Sequence, residues 1–297
     1  CKTMKNKDYS FLKCLSTGDN LSFVELNDEY LKNIAQKFEN IYQIKVEAFM
    51  INKGKNYYYP ICSNVLMLLN GYYFKDDELV NDNASLNPFE MFNSTDKEWY
   101  KNYDKIVDFK KKDILKNINN LDGSNDNLVE YLSSSGELIT YLKEHSKVNI
   151  KNYIAVDLDY FALKELSESD PSILSICCDA TVNIFQENSI SIATSNSIHH
   201  IPDFTKSFYS DINRILTKDG IFIGIESQGL LSKIVINIVS ILPKKIIPYA
   251  IKEIHTERFD IKKWLNKSIY ARLKESNIQS FSVKSYMFHC RYIINKS

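Results

Sequence analysis

The residues of this chain with chemical potential are three carboxylates, Glu130, Asp157 and Asp179, two adjacent imidazoles, His199 and His200, and a turn of small residues, Ser133-Ser134-Ser135-Gly136. An apolar run closing on Glu130, the turn, a helical stretch and a second apolar run closing on Asp157 spell a βαβ unit. Such a unit suits an adenosine-bearing ligand. Small turn residues let backbone N–H groups come close, and an acid ending the next strand can accept hydrogen bonds from both ribose hydroxyls. Gly136 is the turn's one glycine, so a phosphate cradle is not predicted. An imidazole has a suitable pKa for a general base, which nominates His199 and His200; packing by one of the two is the competing reading. Each strand-end carboxylate could instead cap the following helix, and Asp203 is read that way.

The elements that must position these groups run in a recognisable order. After Asp157 come a helix, the run ILSICCDA with Asp179-Ala180, the strand leading into TSNSIHHIPD, and FTKSFYSDINRILTKDGIFIGIES, whose strand ends at Glu226. A further helix (RFDIKKWLNKSIYARLKESN) and two strands (QSFSVKSYMFHCRYIINK) close the chain. Residues 95–297 resemble the class I S-adenosylmethionine-dependent methyltransferases in this order and spacing. The resemblance implies an α/β, doubly wound, Rossmann-like sheet of seven strands. It also implies a cofactor site in which Glu130 acts indirectly on the methionine end, Ser133, Ser135 and Gly136 line it by backbone, Asp157 with Leu158 takes the ribose, Asp179 with Ala180 takes the adenine, and Asn196, within the fourth-strand motif, also contacts the cofactor. The family's three first-motif glycines are reduced to one, with Leu132 and Ser134 in the other two places. Either the cofactor site works with less glycine, or the fold has lost its cofactor.

Two flanking regions carry further expectations. Residues 1–75 are read as a small β-rich module with a helical insertion. Leu12, Cys14, Gly18 and Leu21, and later Tyr59-Pro60-Ile61 and Ser63-Asn64-Val65-Leu66-Met67-Leu68, resemble a zinc-ribbon-like, methyltransferase-activator-like domain. Thr17 stands in the place of its second cysteine, so no metal is expected there. No other part of the chain suggests a metal. Residues 76–94 read as a linker, and the capping box Thr95-x-x-Glu98 opens a helix on which Tyr100 and Tyr103 could face substrate or merely pack. The insertion 228–258 is apolar at helical spacing and is read first as core packing, with a substrate cover or dimer face as alternatives.

Composition narrows the function. Lys+Arg and Asp+Glu are equal at 37 each, so no global field favours nucleic acid or an anionic membrane. Six scattered cysteines and the lack of an apolar run behind Lys2, Lys5 and Lys7 point to a cytoplasmic protein without a secretory leader or membrane span. The leading expectation is S-adenosylmethionine-dependent methyl transfer to a small molecule, in specialised biosynthesis. Its rivals are a tRNA or rRNA methyltransferase, which a basic surface including Lys110, Lys111 and Lys112 would favour, and a catalytically silent binding subunit. Self-association is left open.

Overall fold

A computed structural model describes residues 5, 8–80, 87–89, 104–121, 125–201, 203–226, 228, 234, 264–286 and 289–296. The seven-stranded arrangement expected from the sequence is present. Strands β7 (Asn125–Tyr131), β8 (Ile150–Asp157), β9 (Leu174–Cys177), β10 (Ile190–Ser195) and β11 (Leu216–Glu226) are mutually parallel, in the spatial order β9-β8-β7-β10-β11. Strands β12 (Phe281–Ser285) and β13 (Cys290–Asn295) form an antiparallel hairpin, and β13 lies between β11 and β12, antiparallel to both. The direction in which strand order grows reverses between β7 and β10. That switch point leaves a crevice beyond the carboxyl ends of the strands, where ligands of open α/β sheets bind.

The parallel strands are buried on both faces, and alternate residues divide between two apolar clusters. Val129, Ile154 and Val156 face one, Leu128 and Ala155 the other. Helices α5 (Thr205–Ile215) and α6 (Ile269–Glu275) cover the first face, through Phe208, Tyr209 and Ile212, and Ile269 and Leu273. Helices α1 (Glu29–Tyr42), α2 (Asp104–Ile118), α3 (Glu137–His145) and α4 (Tyr160–Ser169) supply Phe38, Ile114, Ile139 and Leu163 to the second. The helix starts follow local chemistry. Asp28 accepts the Leu31 N–H and Asp159 accepts the N–H groups of Phe161 and Ala162, satisfying first-turn donors that have no partner inside the helix. Asp203 does not take the N-cap of α5; Phe204 does, with no side-chain cap.

The N-terminal region departs from the picture of a self-contained module. Strands β1 (Leu21–Glu25), β2 (Ala48–Asn52), β3 (Tyr57–Cys62) and β4 (Val65–Met67) form an antiparallel meander, and β5 (Tyr73–Lys75) and β6 (Glu78–Val80) branch from β3. The meander continues the main sheet, because β4 pairs in parallel with β9: Val65 opposite Ser175, Leu66 opposite Ile176, Met67 opposite Cys177. An open β9 would expose a row of unpaired backbone groups, and β4 removes that edge. Tyr9, Phe11 and Leu12 join the same cluster as Val129 and Ile154, so the two regions share one core. The range read as linker also begins in structure, with β6, and Phe89 packs against Tyr42, Tyr72 and Tyr160.

Cys14 and Cys62 sit on opposite faces of the sheet. Cys14 is buried in the first cluster with its Sγ 3.2 Å from the Tyr59 hydroxyl, and Cys62 is buried in the second. Two thiols separated by a sheet cannot share a metal ion. Among the described residues no helix is long and apolar enough to cross a membrane. The expected capping box at 95–98, Tyr100, Tyr103 and all but Gln228 and Ile234 of the apolar insertion lie outside the described residues.

Candidate active site

The turn after β7 has the backbone shape of a glycine-rich loop without the glycines. Leu132, Ser134 and Gly136 all have positive φ, at 57°, 48° and 75°. A side chain in this region costs about 1–2 kcal/mol, so Leu132 and Ser134 hold the loop against local preference. Leu132 leans on the first apolar cluster, which offsets its strain. Gly136 has no such latitude, since a Cβ there would lie 2.5 Å from Leu166 Cδ2.

Glu130 ends β7 only 2 % exposed, and its Oε2 accepts the Ile139 N–H at 2.9 Å. That donor is one of the unpaired first-turn groups of α3, so Glu130 ties the loop to the helix behind it. Burial raises its pKa well above the carboxylate range, and the Ile139 hydrogen bond works against that rise. Its place in the core makes it a positioning residue, in keeping with the indirect role expected of it.

Asp157 stands at the next strand end, half-buried, and organises the loop from the other side. Its Oδ2 accepts the Ser134 N–H at 2.7 Å and its Oδ1 the Asp159 N–H at 2.9 Å. Burial raises its pKa, opposed by these backbone donors. A carboxylate has about four lone-pair sites, so the Ser134 and Asp159 donors do not saturate Asp157. Asp179, beyond β9, uses Oδ1 to accept from Thr181 N–H and Oγ1, at 2.8 and 2.7 Å. Leu158, Ala180 and Asn196 flank these positions at the ends of β8, β9 and β10, so the sequence-nominated cofactor residues share one rim of the sheet.

The loop also offers an unanswered polar group. Ser133 Oγ is buried with no hydrogen-bond partner, although the Ser133 N–H donates to Val156 O. A buried hydroxyl left unpaired costs about 1–3 kcal/mol, a cost that a polar ligand seated on the loop would remove. With the positive-φ backbone and the free lone pairs of Asp157, this donor set fits S-adenosylmethionine.

His199 and His200 separate in role. Both lie in a 3-10 turn (Ile198–His200) after β10, with ring centroids 4.3 Å apart. His199 Nδ1 is 2.7 Å from Glu226 Oε2, and Glu226 Oε1 accepts the Ile198 N–H at 2.7 Å. Glu226 is fully buried at the end of β11. A carboxylate there accepts, so Nδ1 carries the hydrogen and Nε2 is left as the basic atom. His200 makes no such pair with Glu226. His200 is exposed, and desolvation, helped by His199 and Lys110, lowers its pKa to about 3. It is therefore neutral across the physiological range.

The sequence reading gave no site role to Glu226 or His289, and weighed Lys110 only as part of a basic surface. Glu226 had the same signature as Glu130 and Asp157, an acid closing an apolar strand, and could have been nominated on that ground. His289, at the turn into β13, has its pKa lowered to about 4 by burial, with a further push from Lys110. Lys110, on α2, is only 9 % exposed. Of the lysines weighed for RNA, Lys111 pairs with Glu137 at 3.1 Å and Lys112 lies 3.7 Å from Asp108.

Residues 130–224, from the carboxylate at the end of β7 to the last turns of β11, match the family described as "Methyltransferase domain". No curated protein matches the chain. Similar solved structures include a SAM-dependent methyltransferase from Thermotoga maritima, 12 % identical, with 71 % of this chain and 100 % of that one covered and a TM-score of 0.46. Another, from Methanosarcina mazei, is 12 % identical over 62 % of this chain and 96 % of that one, TM-score 0.44. Phosphoethanolamine N-methyltransferase 2 of Haemonchus contortus, in complex with S-adenosyl-L-methionine, is 18 % identical over 59 % and 38 %, TM-score 0.43. Likeness at this level says nothing about what this chain methylates. The match spans residues 130–224 of the 297, so it is that segment that is similar to a methyltransferase domain.

Proposed function

We propose that the chain transfers a methyl group from S-adenosylmethionine to a small-molecule acceptor, in specialised biosynthesis, and that His199 is the general base. The observation that carries this is the His199–Glu226 pair, half-buried on the imidazole side and wholly buried on the carboxylate side, on the rim that also bears the cofactor residues. When bound, the cofactor supplies an electrophilic methyl group on a sulfonium, open to in-line displacement. The chain's own residues do the rest.

Asp157 holds the ribose through its remaining lone pairs, and the loop backbone with Ser133 Oγ holds the methionine end. Glu130 fixes the loop to α3, so the hydrogen-bonding groups need no reorganisation when ligand arrives. Glu226 keeps the hydrogen of His199 on Nδ1, and Nε2 takes the proton released by the acceptor nucleophile. Placement within about 3–3.5 Å of the methyl group supplies most of the acceleration, and proton removal adds about 10²–10⁴-fold where the nucleophile is protonated. Zero formal charge and the internal pairing of Lys111 and Lys112 support a small acceptor over RNA.

Calorimetry with S-adenosylhomocysteine tests the cofactor half; no heat at millimolar ligand would end the enzyme reading. Methyl-labelled cofactor incubated with the low-molecular-weight fraction of a cell extract, and separately with total RNA, tests the acceptor half. Label is expected in the former, and label confined to RNA would overturn the small-molecule assignment.

A further inference from the structure

The sheet does not by itself bring His199 to Glu226. The last ladder pair between β10 and β11 joins Ser195 to Gly224, and His199 lies beyond it, in the 3-10 turn. Two chain segments therefore have to be fixed against each other outside the ladder. One runs from the 3-10 turn into α5 as consecutive hydrogen-bonded turns. Ile201 N–H donates to Ile198 O at 3.0 Å, Phe204 N–H to Ile201 O at 3.1 Å and Phe208 N–H to Phe204 O at 2.9 Å. Thr205, the first residue of α5, is thus a continuation of the His199 turn. The other segment leaves β11, where Gln228 N–H donates to Glu226 O at 2.8 Å. The Gln228 amide then holds the approach to α6 with both its ends. Nε2 donates to Trp264 O at 3.2 Å and to Lys267 O at 2.8 Å, and Oε1 accepts the Ile269 N–H at 2.6 Å.

Arg272, on α6, joins the two segments. It is only 6 % exposed; its Nη1 donates to Thr205 Oγ1 at 3.2 Å and its Nη2 to Trp264 O at 2.9 Å, the carbonyl that Gln228 also uses. The guanidinium carbon lies 4.3 Å from the centre of the Trp264 ring, so stacking as well as hydrogen bonding sets its plane. We infer that Arg272 is a positioning residue for the His199–Glu226 pair: by bridging Thr205 and Trp264 it fixes the chain leaving His199 against the chain leaving Glu226. Its part in methyl transfer rests on the methyltransferase reading above; the bridge and its effect on the pair do not. Support of this kind, one layer behind the reacting groups, keeps a base in reach of its orienting partner, and its loss costs roughly ten- to a hundredfold in activity.

Ring-nitrogen NMR of the full chain reads the pair directly, because a hydrogen held on Nδ1 by Glu226 gives a protected Nδ1–H signal. His199→Gln removes that signal and so assigns it among the five histidines. Arg272→Met and Thr205→Val are each expected to abolish or broaden it. Both should also lower kcat on the acceptor found in the labelling assay by roughly tenfold or more, with the KM for S-adenosylmethionine within about twofold of wild type. Because the two changes remove one bridge, the double variant should be no worse than Arg272→Met alone. Leu273→Ala, a loss of core packing on the same helix that leaves the bridge intact, is expected to keep the signal. No such signal in wild type, a signal kept in Arg272→Met or Thr205→Val, or one lost equally in Leu273→Ala, overturns the assignment. Thr205→Val decides alone if Arg272→Met does not fold. Should wild type give no heat with S-adenosylhomocysteine, the methyltransferase reading fails by itself, while the Nδ1–H signal still decides Arg272.

Discussion

The two halves of the site spend their polar groups differently. On the cofactor side, Glu130, Asp157 and Asp179 accept mainly from backbone N–H groups, of Ile139, Ser134, Asp159 and Thr181. Under the β10–β11 end, Glu226 divides its oxygens between one backbone N–H and an imidazole, and its charge acts on Lys110 and His289. Backbone-directed carboxylates fix a shape, and a shape suits a ligand that never changes. Side-chain-directed groups set protonation states, which is what an acceptor with its own proton and charge requires.

Substitutions that spare geometry should break this contrast most sharply. Glu226→Gln is expected to lower turnover on the acceptor found in the labelling assay by about a hundredfold or more, because an amide can donate to Nδ1 and favour the wrong tautomer. Cofactor binding should stay near wild type in calorimetry; unaltered turnover would dismiss the dyad. Asp157→Ala should do the opposite, weakening S-adenosylhomocysteine binding by roughly 2–4 kcal/mol through loss of the ribose acceptors and of the Ser134 anchor. Affinity within a factor of a few of wild type would remove Asp157 from the site.

Smaller effects separate the loop positions. Gly136→Ala should destabilise the protein by about 2–3 kcal/mol in denaturant unfolding, since it combines positive φ with a Cβ driven into Leu166. Ser134→Gly should be within about 1 kcal/mol of wild type, because relief of the strained φ is cancelled by the extra freedom of glycine in the unfolded chain. Equal effects at the two positions would show that the loop is not held as described.

The mildest prediction concerns pH. His289 has a folded pKa of about 4 against an ordinary 6.5, so the unfolded state binds more protons between those values. Stability therefore falls as pH drops through that window, and the raised pKa values of Glu130 and Asp157 act in the opposite sense. Comparison with His289→Gln isolates the histidine. The wild type should lose about 1–2 kcal/mol relative to the variant between pH 7 and pH 5, read from melting curves at each pH. A constant difference would place His289 in a more hydrated setting.

Much of the fold was legible because it is written in short-range patterns. Apolar runs ending on Glu130 and Asp157 and the turn between them gave a βαβ unit, since periodicity and turn chemistry are local properties, while the seven-strand sheet followed from the family resemblance in the order of the elements. The N-terminal strands were recognised as strands but not as a continuation of that sheet. Pairing of β4 with β9 joins Val65 to Ser175, and nothing in either segment names the other. The loop was legible in part: Leu132 and Ser134 marked a departure from glycine, while only the backbone angles show that the glycine shape survives.

The sequence alone marked the apolar runs that close on Glu130 and Asp157, because side-chain alternation follows from residue type, and its family resemblance implied that acidic groups gather along one rim of a parallel sheet. Only the tertiary structure decided which of those groups meet. His199 finds Glu226, 27 positions away in the chain, because side-chain neighbours across strands depend on register and helix placement. Register and helix placement are set by the packing of the whole core, which no single segment encodes.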